Sequence, residues 1–532
     1  MNKNLLIIIM INLCMPLFSK NICGEKILFN GNIFVEATRS IENKAISIKD
    51  ERINHIGELD EFKICKEEKV DLKKGYVFPG FVDAHAHLKG VGYRQLKLDL
   101  SNTSSKEEML QRVKVYNDKN QNMQIIFGEG WIEKNWSDKT FPTRFDLDEI
   151  NSDIPIILER ADGHAFLVNS KALTLSNIDL VTKNPSGGEI ERLSDGRANG
   201  ILIDTAKNLV QQLIPAQTIE DEKNAFALGA KIYQQRGWTG MHDADSLFVE
   251  KIRIFENLDL DLKIHFSLNQ EDYEHCIKGR RSIKIYADGA IGSRGAALFE
   301  NYEDKDSKGL IIYDQNEVRQ LLKNLYERDC QIQIHAIGDR GNSMTLDLYQ
   351  EFLEGTNKDL RWRIEHAQNV TEKDQQRFKK YNVIASMQPS HAIGDLHFAK
   401  DRLGLERLDY AYAWKSFIEK GVVIVGGSDA PVEFGDPLQE YYAAVTRKDL
   451  TGFHDEGWNL QQALSREEAL DIFTKWPAYA IFQEEDLGTI EVGKYADFSV
   501  FDKNILTIDN MDILDTKVVM TIINGEVVYT HE

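Results

Sequence analysis

Eight short apolar runs, spaced by helix-length polar stretches, occupy the middle of the chain: Tyr76–Ala84, Gly237–Asp243, Leu262–Leu268, Ser282–Asp288, Gln331–Ala336, Arg361–His366, Val383–Gln388 and Val422–Ser428. Several are near-continuously apolar, as strands of a parallel sheet covered on both faces should be. Intervening stretches such as Asn316–Arg328 and Thr371–Lys380 are polar enough for exposed helices, the first with helical apolar spacing. Eight strand–helix units over about 250 residues specify an α/β class (β/α)₈ TIM-like barrel. One gap, at about residues 90–225, is too long for a structureless loop and predicts an insertion with its own structure.

The two ends read differently. Residues 25–77 and 485–532 are short strands with turn signals at Asn30-Gly31 and Asn524-Gly525. Neither piece can bury a core alone, so the pattern predicts one composite β-sandwich built from both, with the barrel at 78–484 between them. Residues 1–22 read as a signal peptide: Lys3 precedes an uncharged, mostly apolar run from Leu5 to Phe18, short of the ~20 residues that cross a bilayer. No other segment approaches 18 apolar residues, so no stable membrane span is expected after cleavage. The expected location is exported, periplasmic or extracellular, with lipoprotein anchoring at Cys23 as the minor alternative. The five cysteines show no CxxC spacing, so neither a zinc–thiolate site nor a disulfide framework is indicated, and at most one opportunistic disulfide is left open. A net charge of −21 without a basic run argues against nucleic-acid binding. Oligomeric state leaves no readable mark.

The ionisable residues fall at strand ends. Asp83-Ala84-His85-Ala86-His87 closes the first run, and residues i and i+2 of a strand share a face. His85 and His87 therefore aim at one point, at the end where barrel enzymes keep their chemistry. Lys284 lies between two isoleucines in the fourth run, where a buried ammonium needs a partner or must lose its charge. His335, His366 and Asp429 follow at the ends of the fifth, sixth and eighth runs. Each taken singly has a bland reading: half-buried loop histidines, or a lysine paired with Asp288. Together they read as a metal site.

The order HxH, Lys, His, His, Asp resembles the amidohydrolase superfamily. Val77–His87 is similar to that superfamily's first-strand signature, and Leu487–Asp497 to its C-terminal return into the β-sandwich. Asp162-Gly163-His164, Asn169–Leu173, Ile283–Gly289 and Ser293-Arg294 bring the chain nearest to the YtcJ-like branch, which includes N-substituted formamide deformylases. The resemblance spans nearly all of residues 25–530. It implies two divalent metal ions, Zn²⁺ first among them, bridged by Lys284 after N-carboxylation by CO₂. His85, His87 and Asp429 would hold one ion, and His335 and His366 the other. Asp429 would also shuttle the proton, with His164 near the reacting bond. Trp131, Arg294 and His242 are candidates for binding a small-molecule substrate, against core packing for Trp131, a loop salt bridge for Arg294 and a supporting role for His242. His391 and His397 read as exposed loop histidines. The implied activity is hydrolysis of an amide or N-formyl type C–N bond by a metal-activated hydroxide. A cyclic amide or ester hydrolase, or a metal-free binding protein, are the alternatives.

Overall fold

The computed structural model describes residues 22–531 except 97, 102, 121–122, 134–135, 137, 139, 162–164, 186–187, 216 and 454–456. Of the signal peptide expected at residues 1–22, all but residue 22 lies outside the described residues.

All eight expected barrel strands are present: β1 (Phe81–Ala86), β2 (Trp238–Leu247), β3 (Lys263–Leu268), β4 (Arg281–Tyr286), β5 (Ile332–Ala336), β6 (Arg363–His366), β7 (Ile384–Met387) and β8 (Ile424–Gly426). They pair in parallel in chain order, as right-handed strand–helix–strand units do. The seam between β8 and β1 closes just beyond the strand ends. There Asp429 N donates to His85 O at 2.7 Å and His87 N to Ala430 O at 2.7 Å. Gly427 permits this approach, because a Cβ there would lie 2.6 Å from His85 N. The buried Asp83 carboxylate fastens the same seam, accepting from Ser428 N (2.9 Å), Ser428 Oγ (2.6 Å) and Tyr233 OH (3.0 Å). Burial raises its pKa to about 6 against the pull of those bonds.

The first apolar run is divided. Tyr76–Pro79 belongs to the terminal sheet and β1 begins at Phe81, with the break at Gly80. A Cβ on Gly80 would sit 2.2 Å from Thr239 Oγ1. Tyr76–Pro79 pairs with Lys26–Val35 on one side and Phe498–Phe501 on the other. The terminal segments are thereby joined into a single eight-stranded sheet, where two sheets of a sandwich were expected. The sheet curls on itself: Lys26 Nζ reaches Glu526 at 2.7 Å, and a Cβ on Gly525 would touch Ile48 Cγ2 at 2.8 Å. Leu28, Ile46, Val77, Phe498 and Ile522 fill the enclosed core.

The insertion has its own six-stranded sheet, from Leu98–Asp99 to Ala198–Asp204, with a hydrophobic core on each face. The chain enters it through α1 (Leu88–Leu96) and returns through α2 (Ile219–Arg236). Two glycines bring these helices into backbone contact: a Cβ on Gly92 would lie 1.8 Å from Ala225 O, and one on Gly229 2.5 Å from Leu88 O.

Two disulfides, Cys23–Cys65 and Cys276–Cys330, replace the expectation of at most one. A Cys23 sulfur held in a disulfide cannot also carry a lipid thioether, which removes the lipoprotein alternative. Among the described residues, no helix is long and apolar enough to cross a membrane.

Candidate metal centre

The C-terminal ends of β1, β4, β5 and β6 and the turn after β8 converge on one buried cluster. His85, Lys284 and His366 are each 3% exposed or less. His85 Nε2 and His87 Nε2 face the same oxygen, Asp429 Oδ1, at 3.6 and 3.1 Å. The His366 ring lies 4.7 Å from that of His85 and 4.5 Å from that of His335. Lys284 Nζ lies 4.7 Å from the centre of the Tyr286 ring, which in turn is 5.5 Å from His335.

Strand alternation alone does not produce this convergence. Arg363 and Glu365 point inward from β6, so His366 should point outward. It turns back because its φ is +72°, and Asp429 similarly takes φ +59°. Non-glycine residues in the left-handed region are uncommon and strained, and such strain concentrates at functional sites.

Each of three histidines is oriented through its second nitrogen. His85 Nδ1 pairs with Glu365 Oε2 at 2.5 Å, His87 Nδ1 with Asp245 Oδ1 at 2.7 Å, and His366 Nδ1 with Gln388 Oε1 at 2.8 Å. Acceptors on Nδ1 direct Nε2 toward the centre, as the outer partners of metal-bound histidines do. Glu365 is itself held by Arg363, whose Nε donates at 2.8 Å.

The electrostatics suit a cation. Burial, aided by Lys284, lowers His85 to about 4 and His335 to about 3, and burial holds His366 well below its ordinary value, so all three are neutral donors. Burial alone would lower His87, but hydrogen bonds to Asp245 and Asp429 prevail and raise it to about 10. Burial would raise Asp429, yet His87 and the surrounding imidazoles hold it well below the carboxylate range. Burial lowers the Lys284 amine despite the opposing charges of Glu365 and Asp429. Ligand atoms of His85, His366 and Asp429 all lie within 4.8 Å of one another. His85 Nε2 and His335 Nε2 are buried without a hydrogen-bond partner among the described residues. Neutral imidazoles beside an ionised carboxylate fit Zn²⁺ or a related divalent ion.

The candidate substrate contacts fall elsewhere. Trp131 is fully buried in the insertion's core, its Nε1 donating to Leu158 O at 3.1 Å. Arg294 forms a two-pronged salt bridge with Asp304 at 2.9 and 2.7 Å. His242 accepts from Arg363 Nη1 at 2.9 Å and lines a cavity at the strand starts. His164 lies outside the described residues. His397 is exposed as expected, paired with Asp449 at 3.1 Å. His391 is a correction: it is buried, with Nε2 3.5 Å from Asp429 Oδ2. Glu365, Asp245 and Gln388 escaped the sequence reading. Glu365 carried a usable signal, because an acidic residue two places from Arg363 on an apolar strand needs a buried partner.

The comparisons agree with this geometry. The profile of the amidohydrolase family matches residues 68–529. YtcJ of Bacillus subtilis (strain 168), named as an amidohydrolase, is 30% identical over 95% of this chain and 99% of its own length. The N-substituted formamide deformylase of Arthrobacter pascens is 25% identical over 95% of this chain and 98% of its own. The crystal structure of an uncharacterised metal-dependent hydrolase from Pyrococcus horikoshii OT3 superposes with a TM-score of 0.74 at 25% identity, covering 91% of this chain and 99% of that one. The chain therefore belongs to the amidohydrolase family, a family of metal-dependent hydrolases.

Proposed function

We propose that the protein is an exported hydrolase that cleaves a linear C–N bond of amide or N-formyl type. The observation that carries this reading is the convergence of four histidines, one lysine and one ionised aspartate on a buried point at the strand ends. In this reading His85, His87 and Asp429 would hold one divalent ion and His335 and His366 the other. Lys284, desolvated and so disposed to be a free amine, would take up CO₂ with release of one proton and offer the resulting carbamate as a further anionic ligand. Bound there, the ions would supply Lewis acidity to the scissile carbonyl and make a nucleophilic hydroxide available near neutral pH.

The chain's own residues do the rest. Asp429 is within reach of His85, His87 and His391, so it can take the proton of the attacking water and deliver it to the departing amine. Glu365 and Asp245 keep His85 and His87 in the tautomer that presents Nε2. The relation to an N-substituted formamide deformylase supports a formyl or short acyl group on the carbonyl side.

Two measurements test the proposal. Metal analysis of protein prepared with zinc and bicarbonate should find up to two ions per chain. The same protein should then hydrolyse formamides or linear amides faster than lactams or esters. A preference for lactams or esters would reassign the bond, and protein that takes up no metal would overturn the hydrolase reading.

A further inference from the structure

We infer that Tyr286 is a further catalytic residue, its phenol donating a hydrogen bond to the oxygen of the scissile carbonyl as that oxygen gains negative charge. The inference rests on the amide-hydrolase reading above and adds to it a donor from the chain itself.

Tyr286 closes β4 two residues after Lys284. Residues i and i+2 of a strand share a face, so Tyr286 stands one layer above the lysine, nearer the mouth. Its register partner on β5 is His335. The ring is accordingly 4.7 Å from Lys284 Nζ and 5.5 Å from the His335 ring. The backbone just beyond it is pinned on both sides: Ala287 N donates to His335 O and Ile312 N to Ala287 O, each at 2.8 Å. The side chain therefore starts from a fixed point on the rim of the metal centre.

Unlike its neighbours, Tyr286 is uncommitted. It is 41% exposed, where Lys284 and His85 are each 1% exposed. Other tyrosines of the barrel spend their hydroxyls: Tyr233 on Asp83, Tyr302 on Ala296 O and Tyr349 on Arg363 O. The Tyr286 hydroxyl has no hydrogen-bond partner among the described residues. Burial and the charges of Asp245 and Asp429 raise its pKa to about 12. Both carboxylates border the metal centre, so the phenol lies on the inner side of the rim. The backbone donors nearby are taken: Ala287 N by His335 O, and Ile337 N and Gly338 N by Asp288.

Attack on an amide carbonyl moves charge onto its oxygen, and a neutral donor already in place there stabilises the transition state more than the substrate. A ring that only shielded Lys284 would need no hydroxyl. Tyr286→Phe separates the two roles, because it keeps the ring and removes the donor at a half-open position.

The test compares the metal-loaded wild type with Tyr286→Phe. For N-butylformamide, kcat should fall roughly 10²-fold, with a smaller change in KM. N-butyl methylphosphonamidate, a tetrahedral anion that mimics the charged intermediate, should bind the variant about tenfold or more weakly by calorimetry. Metal content and melting temperature should match the wild type. An unchanged kcat, undiminished phosphonamidate binding, or loss of metal from the variant would each overturn the inference. A metal-loaded wild type that hydrolyses no amide would sink the amide reading and this inference with it. An active wild type equalled by its variant would sink this inference alone.

Discussion

His87 carries a proton between two carboxylates, Asp245 on Nδ1 and Asp429 on Nε2, and holds it up to a pH of about 10. A cation can reach Nε2 only by displacing that proton, whereas His85, neutral above about 4, has none to lose. Binding the first equivalent of zinc at pH 7.5 should therefore release about one proton, since metal uptake is coupled to ligand deprotonation. Calorimetry in buffers of different ionisation enthalpy counts it, under CO₂-free gas so that Lys284 adds no protons of its own. Asp245→Asn should lower the count, and the release should vanish above pH 10. The sign for stability follows from the raised value: the pairing stabilises the metal-free fold fully below His87's ordinary pKa and is lost as pH rises through about 10. Asp429→Asn keeps the volume and one oxygen but cannot accept the proton. It should reduce kcat by roughly 10²–10⁴ with a smaller change in KM, and an unchanged kcat with metal bound would pass the proton role to His391. Five of the six metal-site candidates were legible because they end or directly follow an apolar run, and Lys284 because it is a cation between two isoleucines within one. Their partners were not: Glu365 is 280 residues from His85 and Asp245 is 158 from His87, and only the closed barrel brings them together. His391 looked like a loop residue because nothing local reveals that Asp429 folds back over it.

At the level of elements, the period and length of the apolar runs were enough to place eight strands, and the long gap was enough to demand a folded insertion. What pattern could not show was where one strand stops serving one sheet and starts serving another. Tyr76 to Val82 is uncharged throughout, and the only mark of the division is Pro79-Gly80. Likewise, two clusters of short strands suggest two layers, and only the double pairing of Tyr76–Pro79 makes them one sheet. The β1–β8 seam yields a stability prediction separable from chemistry. Tyr233→Phe removes one donor from the buried Asp83 carboxylate without altering packing volume. It should destabilise the fold by about 1–3 kcal/mol, the range for a buried polar group losing a partner. Urea unfolding would measure this, and metal content should stay at the wild-type value.

For the molecule as a whole, paired cysteines bear on where it works. Stable disulfides are characteristic of oxidising compartments, which agrees with the proposed export. Because Cys23 is bonded to Cys65, the cleavage that the proposed export entails should fall before Cys23. Protein recovered outside the cytoplasm should be shorter than the full chain by about 18–22 residues. An alkylating reagent should label no thiols until reduction and four afterwards. A full-length cytosolic product with reactive cysteines would contradict this. The divided first strand has a consequence for dissection. A stretch that ends one sheet and begins another, with a single glycine between, leaves no linker at which barrel and terminal sheet can be parted. The insertion instead leaves and rejoins through two helices in backbone contact at Gly92 and Gly229, so its excision would remove none of the barrel's strand pairings.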